Sequence, residues 1–339
     1  MIGVVGAGAV SAFGVRWRGL GQAIRDGELR PAPSEQLAVS HPGTSGSEVP
    51  ALAAGQDAGD ARARRLMSRA ARFGAIALRE AVRDAAFAER REEIGAWLGV
   101  GASGVSMEDV PAILAASIRD QQLSMALLGE RGIAACNPLF TFQTLNNFTL
   151  CHGAILEGIG GPNGAFFSRG AGTVTALAEA LHALRAGDCE RALAGGADTS
   201  LHPVTWEELS REGRVAQGLV PGEGGAVLAL ARAPGAALAE LELCELDPSP
   251  AMLEKPCAAV VIAPWGREAR AKLHRLASRH APEAAVVDTS LVLGDSLAAA
   301  PALAWVAALD LICSGAGRVL CLSLGTDEVL AAVTLRRPA

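Results

Sequence analysis

Residues 161–187, GPNGAFFSRGAGTVTALAEALHALRAG, hold the spacing most suited to chemistry in this 339-residue chain. Gly161 and Pro162 punctuate the entry to an apolar, extended run, Ala165-Phe166-Phe167. Gly170 and Gly172 break that run. From Thr173 the positions Val174, Leu177, Leu181 and Leu184 recur at helical spacing, until Gly187 ends the helix as a C′ residue. The pattern predicts a buried strand, a sharp turn and a helix. Such a turn presents one side chain at a helix N-terminus, where free N–H groups and the dipole favour an anion. Enzymes place a nucleophile there, but the residue at this turn is glycine. Ser168 lies two residues before it, and Cys136 and Cys151 precede it. A serine nucleophile needs a positioned base. The histidines nearest in sequence are His152 and His182, and His182 falls three turns into the helix.

The elements that would position this turn are those of a large α/β chain. Half the residues are hydrophobic, 19% are charged and the net charge is −6, so a sizeable core is available. No basic stretch marks a nucleic-acid or membrane surface; the Arg-rich run Ala61–Arg72 alternates with Ala, Leu and Met and reads as one helix face. No apolar run approaches the ~20 residues of a membrane span, and the start MIGVVGAGAV lacks a charged leader. The seven scattered cysteines form no CxxC or Cys/His cluster, so no disulfide framework and no metal site are implied. The expectation is a soluble cytoplasmic protein with buried thiols and no cofactor.

Along the chain, Ile2–Val5 predicts a strand followed by Gly6-Ala7-Gly8. The third glycine is off dinucleotide spacing and no acidic residue closes a second strand, so the nucleotide reading is set aside. Residues 31–60 read as a loop, Arg62–Ala86 as a long amphipathic helix, Ile94–Gly101 as a buried strand and Met107–Gly129 as helical. His202–Arg214 is irregular or helical. Strands at Leu238–Leu243, Ala258–Ile262 and Ala284–Asp288, helices at Arg267–Ser278 and Leu297–Ile312, and a hairpin of Arg318–Leu324 with Val329–Leu335 complete the second half.

The central stretch resembles the nucleophile elbow of the β-ketoacyl synthases. The matching residues are Gly161-Pro162, Ser168-Arg169-Gly170-Ala171-Gly172, Gly187-Asp188 and Ala194-Gly195-Gly196-Ala197. Without a gap, this register puts Gly170 on the family's acyl-accepting cysteine. Gly218-Leu219-Val220-Pro221-Gly222-Glu223-Gly224-Gly225 resembles the family's loop entering a strand, with Glu223 in a structural role. The segment Ser290–Ala300 resembles the family's lysine–histidine segment, with Ser290 at the lysine and Asp295 at the histidine. Ser323-Leu324-Gly325-Thr326-Asp327 resembles the terminal turn, with Ser323 at the gating phenylalanine. After Ala258–Ile262 the family's other histidine segment should follow, but the chain runs Ala263-Pro264-Trp265-Gly266 into a helix. His274 and His280 lie too far along.

The resemblance implies a thiolase-like α/β fold, two related halves in a five-layer αβαβα arrangement. They divide as residues 1–203 and a shortened 204–339. It also implies that the chemistry is lost: a ketosynthase needs a thiolate for the acyl chain and imidazoles for the enolate and oxyanion. Catalytic positions would then be degenerate at Gly170, Asp295, Ser290 and Ser323. Such proteins are known as chain-length factors, or ketosynthase β subunits, which pair with an active ketosynthase α subunit and meet acyl carrier protein through it. Phe140, Phe148, Phe166, Phe167, Ser168 and Arg169 would then lie at the tunnel or interface, with the edge strand Ala165–Ser168 paired across a two-fold axis. Arg169 would fill the dead pocket or make an interface salt bridge. Two other readings stand: a homodimeric ketosynthase-fold scaffold or regulator, and an acyltransferase with a non-cysteine nucleophile.

Overall fold

A computed structural model describes the chain except residues 30, 54, 103, 106, 108, 109, 169 and 339 and the side chain of residue 141. The proposed roles of Arg169 lie outside the described residues. Ten strands carry the fold: β1 (Ile2–Ser11), β2 (Gly95–Val100), β3 (Asn163–Phe167), β4 (Arg191–Thr199), β5 (Glu223–Arg232), β6 (Ala239–Leu246), β7 (Ala259–Pro264), β8 (Ala285–Asp288), β9 (Arg318–Leu324) and β10 (Leu330–Arg336). Their hydrogen-bonded order is β8-β7-β9-β10-β6-β1-β5-β4-β2-β3. Taken outward from the middle, β1-β5-β4-β2-β3 and β6-β10-β9-β7-β8 are the same order used twice. The two sets meet only where β1 touches β6, at Gly3–Glu240 and Val4–Ala239. An internal duplication is therefore plain in topology. β5 lies within residues 204–339 yet pairs between β1 and β4, in the first set.

Helices layer around these sheets. α1 (Arg69–Asp84) packs on β1, β5 and β4, with α2 (Phe148–Glu157) against it and against β2. α3 (Gly172–Ala186) and α4, the later helix Ala299–Cys313, fill the space between the two sheets; α5 (Gly266–His280), which precedes α4 in sequence, covers β7 and β9 from outside. The result is the five-layer αβαβα arrangement. α4 is apolar on every side but for Asp310, whose carboxylate takes the Gly19, Gly21 and Gln22 amides, and it is buried along Ala299–Ile312, as a helix sandwiched between sheets must be. α1 instead has one buried face, with Phe73, Ile76, Leu78 and Val82 inward. Only twelve residues, 247–258, connect β6 to β7, where the first half has a long connection carrying α1; this is where the second half is short.

β1 runs on to Ser11 rather than stopping at Val5, and its glycines explain why. A Cβ on Gly6 would lie 2.5 Å from the Ala85 nitrogen, and one on Gly8 would lie 2.2 Å from the Ala77 carbonyl of α1. They are strand residues that let a helix approach, so no phosphate cradle is present there. The predicted helix Arg62–Ala86 is two helices, Ala61–Arg64 and α1, divided where Ser68 caps α1 through its hydroxyl on the Ala71 amide. The predicted helix Met107–Gly129 becomes a short helix Val110–Ser117, a two-residue hairpin at Ile118–Leu123, and further helical pieces to Ala135. Of the seven thiols only Cys189 and Cys321 are buried, and Cys313 is exposed. No described helix is long and apolar enough to cross a membrane.

Candidate functional site

The predicted elbow is present: β3, a turn, then α3, whose C-terminal Gly187 takes φ +86° and returns its amide to the Ala183 carbonyl. β3 is not fully buried. It pairs in parallel with β2 and forms the edge of the sheet, leaving Phe166 half-buried and Phe167 57% exposed. Its outer edge has no strand partner among the described residues.

At the turn, Gly170 is buried with φ +156°. A Cβ built there would lie 2.5 Å from Asp327 Oδ1 and 2.6 Å from the Gly325 Cα. The space a nucleophile would need is filled by the turn between β9 and β10. Asp327 Oδ2 accepts from the Ala171 amide at 2.8 Å and from Ser168 Oγ at 2.9 Å. Ser168 Oγ in turn accepts from the Gly172 amide at 2.9 Å. The amides of the N-cap Ala171 and of the first helical residue Gly172 are thus satisfied by this chain's own carboxylate and hydroxyl. Ser168 has no histidine beside it: His152 bonds the Leu66 carbonyl at 3.1 Å, and His182 is exposed on α3.

Each of the other motif positions is bound into its own surroundings. Asp295 accepts from the Val220 amide at 2.8 Å and the Gly266 amide at 3.0 Å, tying a loop to the start of α5. Ser290 donates to Asp288 Oδ1 at 2.7 Å and accepts from Arg270 at 2.8 Å; Asp288 also pairs with Arg270 and His274. Ser323 sits near the end of β9, opposite Ala263 and Ala331, 8% exposed. Phe140 and Phe148 are both half-buried on the outer side of the first half, where Phe148 meets Phe142 edge-on at 5.2 Å and His152 at 5.1 Å.

Two residues to which the motif reading gives no role of their own matter here. One is Asp327. The other is Asp198, which follows Gly195-Gly196-Ala197 at the end of β4 and is 2% exposed. Asp198 accepts from the Thr199 amide at 2.8 Å and the Ala298 amide at 3.1 Å. Asp198 and Asp295 therefore clamp the segment 295–298 from its two ends, around Leu297, which is held at φ +50°. An acidic residue at the end of an otherwise apolar strand was the available signal.

Burial pushes both carboxyls up to about 7, against the amide hydrogen bonds that pull them down. The unfolded value is about 3.9. Between those values the folded chain holds protons that the unfolded chain has released. These two groups therefore contribute stability that is full below about pH 4 and is lost as pH rises toward 7. Burial pulls His152 and His202 down, which acts in the opposite sense below about pH 6.5. The informative comparison is therefore with variants: Asp198→Asn with Asp295→Asn should remove a fall in unfolding midpoint between about pH 4 and pH 7. An unchanged pH profile in the double variant would contradict this.

A pocket of about 140 Å³ lies beside the elbow, lined by Phe167, Ser168, Asp198, Leu209, Trp265 and Thr326 among others. At ~30 Å³ per water it holds roughly five waters, below the ~300 Å³ where drug-sized ligand sites begin. A larger cavity of about 570 Å³ adjoins Arg69, Arg72 and His202, but both arginines are already paired, with Glu223 and Asp57. Among the described residues no group of three or more His, Cys, Asp or Glu side chains could hold a metal ion.

Solved structures share this architecture at low identity. The ishigamide ketosynthase/chain length factor is 18% identical, with a TM-score of 0.76 over 100% of this chain and 99% of that one. A β-ketoacyl synthase from Burkholderia phymatum STM815 is 17% identical, with a TM-score of 0.74 over 100% and 99%. A type II polyketide ketosynthase, in complex with its acyl-carrier protein and bound to a hexaketide, is 14% identical, with a TM-score of 0.74 over 99% of each chain. These likenesses establish the fold. No curated protein matches the chain by sequence. The model of the family "Beta-ketoacyl synthase, N-terminal domain" matches residues 2–236. With most of its length under that match, and with the family's elbow built at residues 163–186, the chain belongs to the β-ketoacyl synthase family.

Proposed function

We propose that this chain is a non-catalytic ketosynthase-like subunit that pairs with an active ketosynthase and shapes its acyl tunnel, setting polyketide or polyene chain length. The observation that carries the reading is the elbow: it offers no side chain at Gly170, and Asp327 fills the space where one would stand. Acyl transfer through a covalent intermediate needs an activated nucleophile. Ser168 does not supply one, because its hydroxyl is spent between Asp327 and the Gly172 amide. The pocket of about 140 Å³ is also too small for a long acyl chain of this subunit's own.

The surface supports a partner. Among the described residues, twelve of the 18 exposed large hydrophobics lie between Met107 and Phe167, among them Met125 at 70%, Ile133 at 64% and Ile155 at 74%. Exposed apolar side chains in the segments around an open sheet edge strand, with Phe167 on that strand itself, favour an interaction site. Acyl carrier protein would reach this chain through the active subunit. The same surface would also suit a second copy of this chain, which keeps the homodimeric scaffold as the other reading.

Exposure of the chain to acyl and malonyl thioesters, followed by intact-mass measurement, tests the loss of chemistry. No covalent adduct is expected. A stoichiometric acyl adduct, mapped to Ser168 or to a cysteine, would overturn it.

A further inference from the structure

We propose that Asp327 is a built-in latch: its carboxylate is the resident anion at the N-terminus of α3, and with Gly170 it forms an interdependent pair that keeps the elbow closed. Four observations converge. The carboxylate takes the Ala171 amide and the Ser168 hydroxyl on one oxygen. Its other oxygen accepts the Val329 amide at 3.3 Å, fixing the turn that carries it. That same oxygen stands 2.5 Å from where a Cβ of residue 170 would be, so a side chain at 170 and the latch exclude each other. The contact joins residues 156 to 159 positions apart, from the two halves of the chain.

The physical logic is that of a helix end. α3 has 15 residues, and its first amides need an acceptor. An open elbow offers those amides to a reacting group or to water. Here a tethered carboxylate satisfies the Ala171 amide directly and the Gly172 amide through Ser168, without the entropy loss of binding a free anion, and the partial positive charge of the helix end favours its negative charge. The site is closed from within, whether or not a partner covers the surface outside. Restoring a cysteine at residue 170 would then be insufficient to reopen it, because the turn at 325–327 occupies the same space.

The test uses the full chain in four forms: wild type, Gly170→Cys, Asp327→Ala and the double variant. Gly170→Cys alone should lower the unfolding midpoint by on the order of 5 °C. In the double variant that loss, taken relative to Asp327→Ala, should be smaller than the loss Gly170→Cys causes in wild type, the part set by the Gly325 backbone 2.6 Å away remaining. The introduced thiol should react with iodoacetamide at least tenfold faster in the double variant than in Gly170→Cys, read by peptide mass so that the native thiols do not interfere. Additive midpoints with equal alkylation rates would overturn the latch. Should Gly170→Cys fail to fold, Asp327→Ala in the Gly170 background still decides it. Hydrogen exchange in the first turn of α3 should speed at least tenfold, and unchanged exchange would contradict the proposal.

Discussion

Replacing Phe167 by aspartate should abolish pairing with an intact ketosynthase while leaving the chain folded. Phe167 is 57% exposed on the last strand of the sheet, so a charge there costs the isolated chain little. In a complex it would be buried beside backbone groups of the unpaired edge of β3. An aromatic side chain at the centre of an interface typically contributes about 2–4 kcal/mol, and a buried unpaired charge costs at least as much again. The expected loss of affinity is therefore at least ~100-fold. Ile155→Asp should act in the same direction, because Ile155 is 74% exposed within the same apolar stretch. Val39 is 98% exposed outside that stretch, so Val39→Asp serves as the control and should leave pairing intact. Co-purification of tagged partner and variant is the readout. Wild-type recovery of the Phe167→Asp variant would mean that β3 is not at the interface.

The second large effect concerns folding. Arg69→Ala should destabilise the chain by about 3–5 kcal/mol, because it strands a fully buried carboxylate. Glu223 is 0% exposed. Arg69 grips it with two bonds, Nε to Oε2 at 2.6 Å and Nη2 to Oε1 at 2.5 Å, while the Val49 amide and Thr199 hydroxyl also donate to it. These contacts tie α1, β4, β5 and the loop at Val49 to one group. A domain has only about 5–15 kcal/mol of stability in total, so the variant should be mostly insoluble or melt far below wild type. Glu223→Gln keeps the shape but leaves the guanidinium without its charge partner, and should also destabilise, by less. A loss under ~1 kcal/mol for Arg69→Ala would show that the pair is incidental. The role expected for Glu223 from the glycine-rich loop, a structural one, fits these contacts.

Much of the elbow was legible because its signals are local. Gly161-Pro162, the apolar triplet 165–167 and the 3.6-residue spacing after Thr173 each report on neighbouring residues, and Gly187 stops the helix as its type suggests. The Arg318–Leu335 hairpin and the apolar helix before it were readable for the same reason. What escaped depends on contacts distant in sequence. The extension of β1 to Ser11 rests on α1 packing over two glycines, which no periodicity in residues 2–11 announces. The burial of β3 was overread, since an apolar run looks the same at a covered edge and an open one. The repeated strand order has no counterpart in sequence repetition, and pairing between β1 and β4 puts β5 in the first set although it follows residue 203. Asp327 was visible only as part of a turn. Its meaning appears when that turn is brought against Gly170 from more than 150 residues away.

The most direct test of the central claim is native mass, measured for the chain alone and for the chain co-expressed with an intact ketosynthase encoded beside it. The account predicts poor solubility or self-association alone, from the exposed apolar stretch 107–167, and a one-to-one complex when the ketosynthase is present. A well-behaved homodimer that ignores the ketosynthase would contradict it and favour the scaffold reading.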